Sequence, residues 1–210
     1  MVLRRDPLPT DSTAVKKKIF SLLGFAELPL SRGPDGPDPL PVPKARRWMN
    51  PIHQVAVATA LEARKHAGTG ASCPGESIGC HVEINDPVHG WDVLTTHLSG
   101  KGKAAHRKIP PLWLLDHLPN TTASHIAIQL GIQGPVTTCP AAAHVPEQLW
   151  HVAGEELEGG ALLQMLLVQV DSQTQIRACL LAPESFAGQR IALVDSWETC
   201  RRATVRKVPT

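Results

Sequence analysis

With 210 residues, 42% hydrophobic and 19% charged, the chain can bury one ordinary core and a small appendage but not two full domains, which excludes a wholly disordered protein. Its 19 prolines and 16 glycines follow no collagen-like period, and no stretch reaches the roughly 20 uninterrupted apolar residues that span a bilayer. The net charge of +2 hides an uneven spread: nine basic and five acidic residues over 1–50, eight and fourteen over 51–200, four and none over 201–210. An acidic body with two basic ends reads most simply as a domain with solvated tails.

Lys16-Lys17-Lys18 followed by Ile19-Phe20-Ser21-Leu22-Leu23-Gly24-Phe25 imitates a signal peptide, but Glu27 interrupts the apolar run and no small-x-small cleavage site follows. The stretch reads as a short amphipathic segment within a leader over 1–27. Residues 28–43, LPLSRGPDGPDPLPVP, lack backbone donors at proline and carry the entropy cost of glycine, so neither helix nor sheet propagates there. This arm separates the leader from a domain starting near Lys44.

Beyond the arm, Ile52, Val55, Ala56, Thr59, Ala60 and Ala63 share one stripe, with Asn50 as cap and Gly68 as stop, which predicts a helix. Ser77 to Ile84 is rich in β-formers between turn residues and reads as a strand. A helical pattern covers 89–99, and 101–111 is a basic loop. Thr121 to Leu130 has helical spacing up to Gly131, Val136 to Cys139 is a β-branched strand, and Pro146-Glu147 opens a helix that ends at Gly159-Gly160. Ala161 to Val170 and Ile176 to Ala182 are apolar runs on either side of a turn, two buried strands. Strands alternating with helices predict an α/β layered fold with a largely buried sheet.

Five cysteines at irregular spacing fit a reducing compartment, the cytoplasm, and no disulfide is expected. Cys73, Cys80 and His81 do not have zinc-knuckle spacing, and His144 and His151 lack a third ligand, so no metal is expected. His125, on an apolar stripe, reads as a core or interface histidine. A G-x-S-x-G elbow is missing, and Gly68-Thr69-Gly70 follows a helix where phosphate-binding glycines need a strand, so neither a serine hydrolase nor a nucleotide fold is indicated. Arg201, Arg202, Arg206 and Lys207 lack interleaved aromatics for nucleic acid. Trp48, Trp91, Trp113, Trp150 and Trp197 are dispersed and read as core and interface anchors.

Four segments fall in a telling order: Ala45-Arg46-Arg47-Trp48-Met49, Leu118-Pro119-Asn120, Ala123 to Gly131 (ASHIAIQLG), and Gly134-Pro135-Val136-Thr137-Thr138. In order and spacing the chain resembles the N-terminal half of the β-ketoacyl synthases over roughly residues 45–186. The resemblance implies an α/β, thiolase-like half-fold with a mixed, mostly buried sheet and helices on both faces, preceded by a basic leader and proline-rich arm (1–44) and followed by a C-terminal strand and basic tail (187–210). In the family the strand matching Val136 to Cys139 pairs across a dimer axis, and the next helix is buried with the nucleophilic cysteine at its amino end. A helix start suits that sulfur, because its free amides and partial positive charge favour thiolate.

Counted from Gly134-Pro135 without gaps, the nucleophile position falls on Ala143, whose methyl cannot carry an acyl group. The family's C-terminal half, which supplies two histidines, has no room in this chain. The resemblance is therefore to the chain-length-factor branch: a non-catalytic component of fatty-acid or polyketide biosynthesis that shapes an acyl site or partners an active ketosynthase. Two alternatives stand beside it. One is a chain of a split β-ketoacyl-ACP synthase, an acyltransferase, that uses Cys139 as a relocated nucleophile; the other is a degenerate scaffold or acyl-binding domain. On the first reading Ala143, His144, Pro146, Trp113, His117 and Asn120 line an acyl site or subunit contact. Lys101, Lys103, His106, Arg107 and Lys108 form a solvated loop or, with Lys101, Lys103, Arg107 and Lys108 as its contacts, a patch for an acidic acyl carrier protein. No cofactor, nucleic acid or membrane span is expected; a homodimer, or a heterodimer with a ketosynthase, is.

Overall fold

Residues 19–32, 42–69, 72–85, 118, 120–140, 148–171, 174–186, 189–192 and 197–205 are described by a computed structural model of the chain. Six strands, β1 (Ile19–Pro29), β2 (Ile78–Ile84), β3 (Val136–Pro140), β4 (Gln164–Val170), β5 (Gln175–Pro183) and β6 (Gln189–Ala192), form one sheet in the order β3-β2-β4-β5-β1-β6. β2 runs parallel to both its neighbours. The β4–β5, β5–β1 and β1–β6 pairs are antiparallel, so the sheet is mixed. The helices are α1 (Pro51–Ala67), α2 (Asn120–Leu130), α3 (Gln148–Glu158) and α4 (Trp197–Val205).

Alternation along the strands sorts the core into two layers. Cys80 and Val82 of β2, Leu166 and Val168 of β4 and Ala178 and Leu180 of β5 pack with α1 and α2. Met165, Leu167, Cys179 and Leu181 face the other way, against α3 and α4. Because both faces are covered, β4 is buried along nearly its whole length, which is why it reads as a continuous apolar run. The expected fold, a thiolase-like half with a mixed, mostly buried sheet between helices, is the one observed.

The predicted helix after the arm is α1. Asn50 accepts from the His53 amide at 2.9 Å as its N-cap, and Gly68, at φ 73°, ends it. The stripe is wider than predicted, since His53 and Val57 are buried with it. α2 likewise ends at Gly131, φ 66°. Predicted strands at 77–84 and 136–139 become β2 and β3, and the two apolar runs become the antiparallel pair β4–β5, with 161–163 left out of the strand. α3 is observed from Gln148. The resemblance implies a buried helix here, whereas α3 buries Leu149, Trp150, Ala153 and Leu157 but exposes His151, Val152, Glu155 and Glu158.

Two expectations are corrected. Residues 19–27, read as part of a leader, form β1, which pairs with β5 from Phe20↔Pro183 to Pro29↔Gln175 and with β6 on its other side. Burial of seven consecutive residues from Phe20 to Ala26 drives this pairing. The register shifts between Leu22 and Gly24, a bulge that lets Phe20, Leu22 and Phe25 reach one face while Leu23, Ala26 and Leu28 reach the other. The basic tail, in turn, begins as α4: Trp197, Cys200 and Ala203 recur at helical spacing and are buried, leaving Glu198, Arg201 and Arg202 on the outer side. Glu198 takes both guanidinium groups, Arg201 Nε at 2.9 Å and Arg202 Nε at 3.1 Å.

The arm's end is held by one side chain. Gln129, buried on α2, accepts from the Val42 amide at 2.8 Å and donates to the Val42 carbonyl at 3.1 Å, taking the two bonds that a neighbouring strand would take.

Candidate functional site

The sequence places the site where β2 and β3 end and α3 begins. Of the residues singled out there, Cys139 and Asn120 are described; Ala143, His144, Pro146, Trp113, His117, Lys101, Lys103, Arg107 and Lys108, with the helical pattern at 89–99, lie outside the described residues. Asn120 opens α2, where its carbonyl accepts from Ser124 Oγ at 2.9 Å. Cys139 lies on the opposite sheet face: it stands in register with Glu83 of β2, and β2 turns Cys80 and Val82 toward α1 and α2, hence His81 and Glu83 toward α3. The two residues are thus not brought side by side.

What the fold does assemble around Cys139 is a row of polar side chains that no local spacing announces. Glu83 pairs in register with Cys139 on one side and Gln169 on the other, Gln169 with Arg177, and Arg177 with Glu27. One residue from each of five strands therefore stands at one level of the sheet. Gln169 Nε2 donates to Glu83 Oε2 at 3.1 Å, and Arg177 donates to Gln169 Oε1 at 3.4 Å and to Glu27 Oε2 at 3.0 Å. The Gln175 amide, turned so that its nitrogen donates to Glu27 Oε1 at 3.0 Å, offers its oxygen to the same guanidinium. Deeper on this face, His81, 1% exposed, meets Glu156 of α3 at 3.1 Å through Nε2.

The electrostatics follow from this layout. Glu83 is 6% exposed, and burial raises its carboxyl above the ordinary range, opposed by the Gln169 hydrogen bond. Cys139 is raised too, first by burial and then by the Glu83 carboxylate. A thiol held protonated beside a carboxylate is a poor nucleophile, since attack requires thiolate. Cys80, wholly buried, is pushed up to about 12.

The remaining predicted features are separate from this row. His125 is half-buried against His53, ring centroids 5.4 Å apart. His151 is exposed beside Glu155 at 3.8 Å. Trp150 and Trp197 meet edge-on at 5.1 Å in the core between α3 and α4. Among the described residues no group of three or more His, Cys, Asp or Glu side chains could hold a metal ion, and no helix is long and apolar enough to cross a membrane.

β3-β2-β4-β5-β1 with helix pairs on both faces is one half of a thiolase-like fold. Residues 37–157 match the family described as β-ketoacyl synthase, N-terminal domain, and the chain belongs to that family. No curated protein sequence matches it. Among solved structures, the chain is similar to the ishigamide ketosynthase/chain length factor, with TM-score 0.60 and 12% identity over 83% of this chain and 64% of that one. It is also similar to a β-ketoacyl synthase from Burkholderia phymatum STM815, with TM-score 0.58 and 14% identity over 80% and 59%. It therefore spans less than two thirds of those proteins. A structure of the ketosynthase ApeO in complex with its chain length factor ApeC from Xenorhabdus doucetiae differs: TM-score is 0.56 at 14% identity, and the match covers 80% of each chain, so the matched chain is about as long as this one.

Proposed function

We propose that the chain is a non-catalytic, chain-length-factor-like component of fatty-acid or polyketide assembly that partners an active ketosynthase or shapes its acyl site. One observation carries the reading. With alanine at 143, Cys139 is the only cysteine between residues 81 and 178, and burial and Glu83 both oppose its ionisation. The nearest available sulfur is thus set against acyl transfer.

Two further observations support a partner. A matched chain of similar length occurs in a ketosynthase and chain length factor complex, and β3 pairs among the described residues only with β2, leaving an outer edge at which Val136 and Thr137 are exposed. An unpaired edge is a template for another strand, from a second copy or from a ketosynthase. On this reading Ala143, His144, Pro146, Trp113, His117 and Asn120 form the acyl-site wall or subunit contact, and Lys101, Lys103, Arg107 and Lys108 meet an acyl carrier protein. Unlinked thiols at all five cysteines suit a cytoplasmic setting.

Co-expression with candidate active ketosynthases tests the proposal. A stable complex on size exclusion is expected, with Cys139 alkylated by iodoacetamide at neutral pH at least about tenfold more slowly than a free cysteine. Absence of a complex, or preferential labelling of Cys139, overturns it, and the second result favours the split synthase.

A further inference from the structure

The core under α4 contains a pair of thiols that the site above does not use. Cys179 of β5 lies between Phe25 of β1 and Leu167 of β4, and Cys200 comes down onto it from α4. Both are fully buried in one core cluster with Trp197 and Leu167, and the two thiols are close enough to interact. Among the described residues no third metal-ligating side chain joins them.

We propose that Cys179 and Cys200 are an oxidation site, at which a small-molecule disulfide drives formation of a bond that fastens α4 to the sheet. The chemistry balances by two exchanges. A thiolate from one cysteine attacks the oxidant, its S–S bond breaks and one small thiol leaves; the second cysteine then attacks the mixed disulfide and releases the other. Both protein sulfurs are oxidised, the two oxidant sulfurs are reduced, and the protons lost by the cysteines end on the departing thiols.

Access sets the rate. Burial, and then the Cys200 neighbour, hold the Cys179 thiol well above its ordinary pKa, so Cys179 does not supply the attacking thiolate while the core is closed. α4, however, is nine residues long and is anchored by Trp197, Cys200 and Ala203. A short helix with few anchors opens more readily than the sheet beneath it. Each opening exposes Cys200 to the oxidant, and each closure returns it to Cys179. The bond therefore forms through α4 motion and afterwards prevents it.

Oxidised glutathione applied to the full chain, with and without urea below the unfolding midpoint, tests this. The expected product has lost two of its five thiols and yields a cross-linked peptide pair containing residues 179 and 200. It should form about tenfold faster in the urea, and amide exchange over 197–205 should slow by about tenfold once the bond is made. Cys200→Ala and Cys179→Ala must each abolish the cross-link while retaining native far-UV circular dichroism. Cross-links through Cys73, Cys80 or Cys139, glutathione adducts that never resolve, or five persistent thiols where α4 amides already exchange would each overturn the proposal.

Discussion

On the α1–α2 side of the sheet, Ala56, Val57, Ala60 and Ala63 present a face of small side chains with no exposure, and the contacts are apolar and close. On the α3–α4 side, two tryptophans, Met165 and a thiol pair fill the space, and the layer ends in the Glu83–Gln169–Arg177–Glu27 row. The first face achieves close approach by having little to pack. The second uses large and polarisable groups to fill a space bounded by helices distant in sequence, and it tolerates charge at its rim because each group there has a partner. Tight contact and adaptable contact thus occupy opposite sides of one sheet.

The strongest way to break that contrast is at Gly24. A Cβ there would run into the Ala63 carbonyl of α1, and backbone cannot move aside as a side chain can. Gly24→Val is expected to destabilise by about 4 kcal/mol, read as a lower urea midpoint with unchanged slope. On the other side, Trp197→Ala removes the large anchor of α4 and should cost about 3 kcal/mol, with faster amide exchange over 197–205. Survival of protection in that helix would show that Trp197 does not anchor it. The smallest effect sharpens the role of charge. Because the folded Glu83 carboxyl is raised by burial, its protonated form suits the fold: that contribution is present below the unfolded carboxyl value and is lost as pH rises through the folded one. Glu83→Gln, which keeps an acceptor for Gln169, should raise Tm by about 2 °C at pH 7 and leave it unchanged at pH 4. An equal gain at both pH values would show that the carboxylate charge is not the cause.

The same contrast explains what could be read from the residues alone. α1, α2 and β2 to β5 were legible because caps, stop glycines and apolar periods are local signals. β1 was not: burial on both faces and the bulge at Leu23 erase alternation, three lysines before it mimic a targeting segment, and its partner β5 lies about 150 residues away. α4 was hidden by four basic residues, Arg201 and Arg202 within it and Arg206 and Lys207 after it, which outweigh three buried anchors at short length. Cys139 was legible as a thiol at the end of a strand, but its neighbour was not, because Glu83 reaches it only through register between strands far apart in the chain. The family pattern points to position 143 as an expectation; the polar row around Cys139 required coordinates.

The clasp between Gln129 and Val42 has an uneven consequence for sequence drift. An amide that reads only peptide atoms is blind to whatever side chain the arm presents, and Val42 itself is 41% exposed. Position 42 is therefore free to vary, with proline as the barred substitute since it would forfeit the donated hydrogen. Position 129 has no such liberty: neither a shorter amide nor a carboxylate can serve both peptide groups from that helix, so the tether's specification resides wholly in one side chain of its anchor.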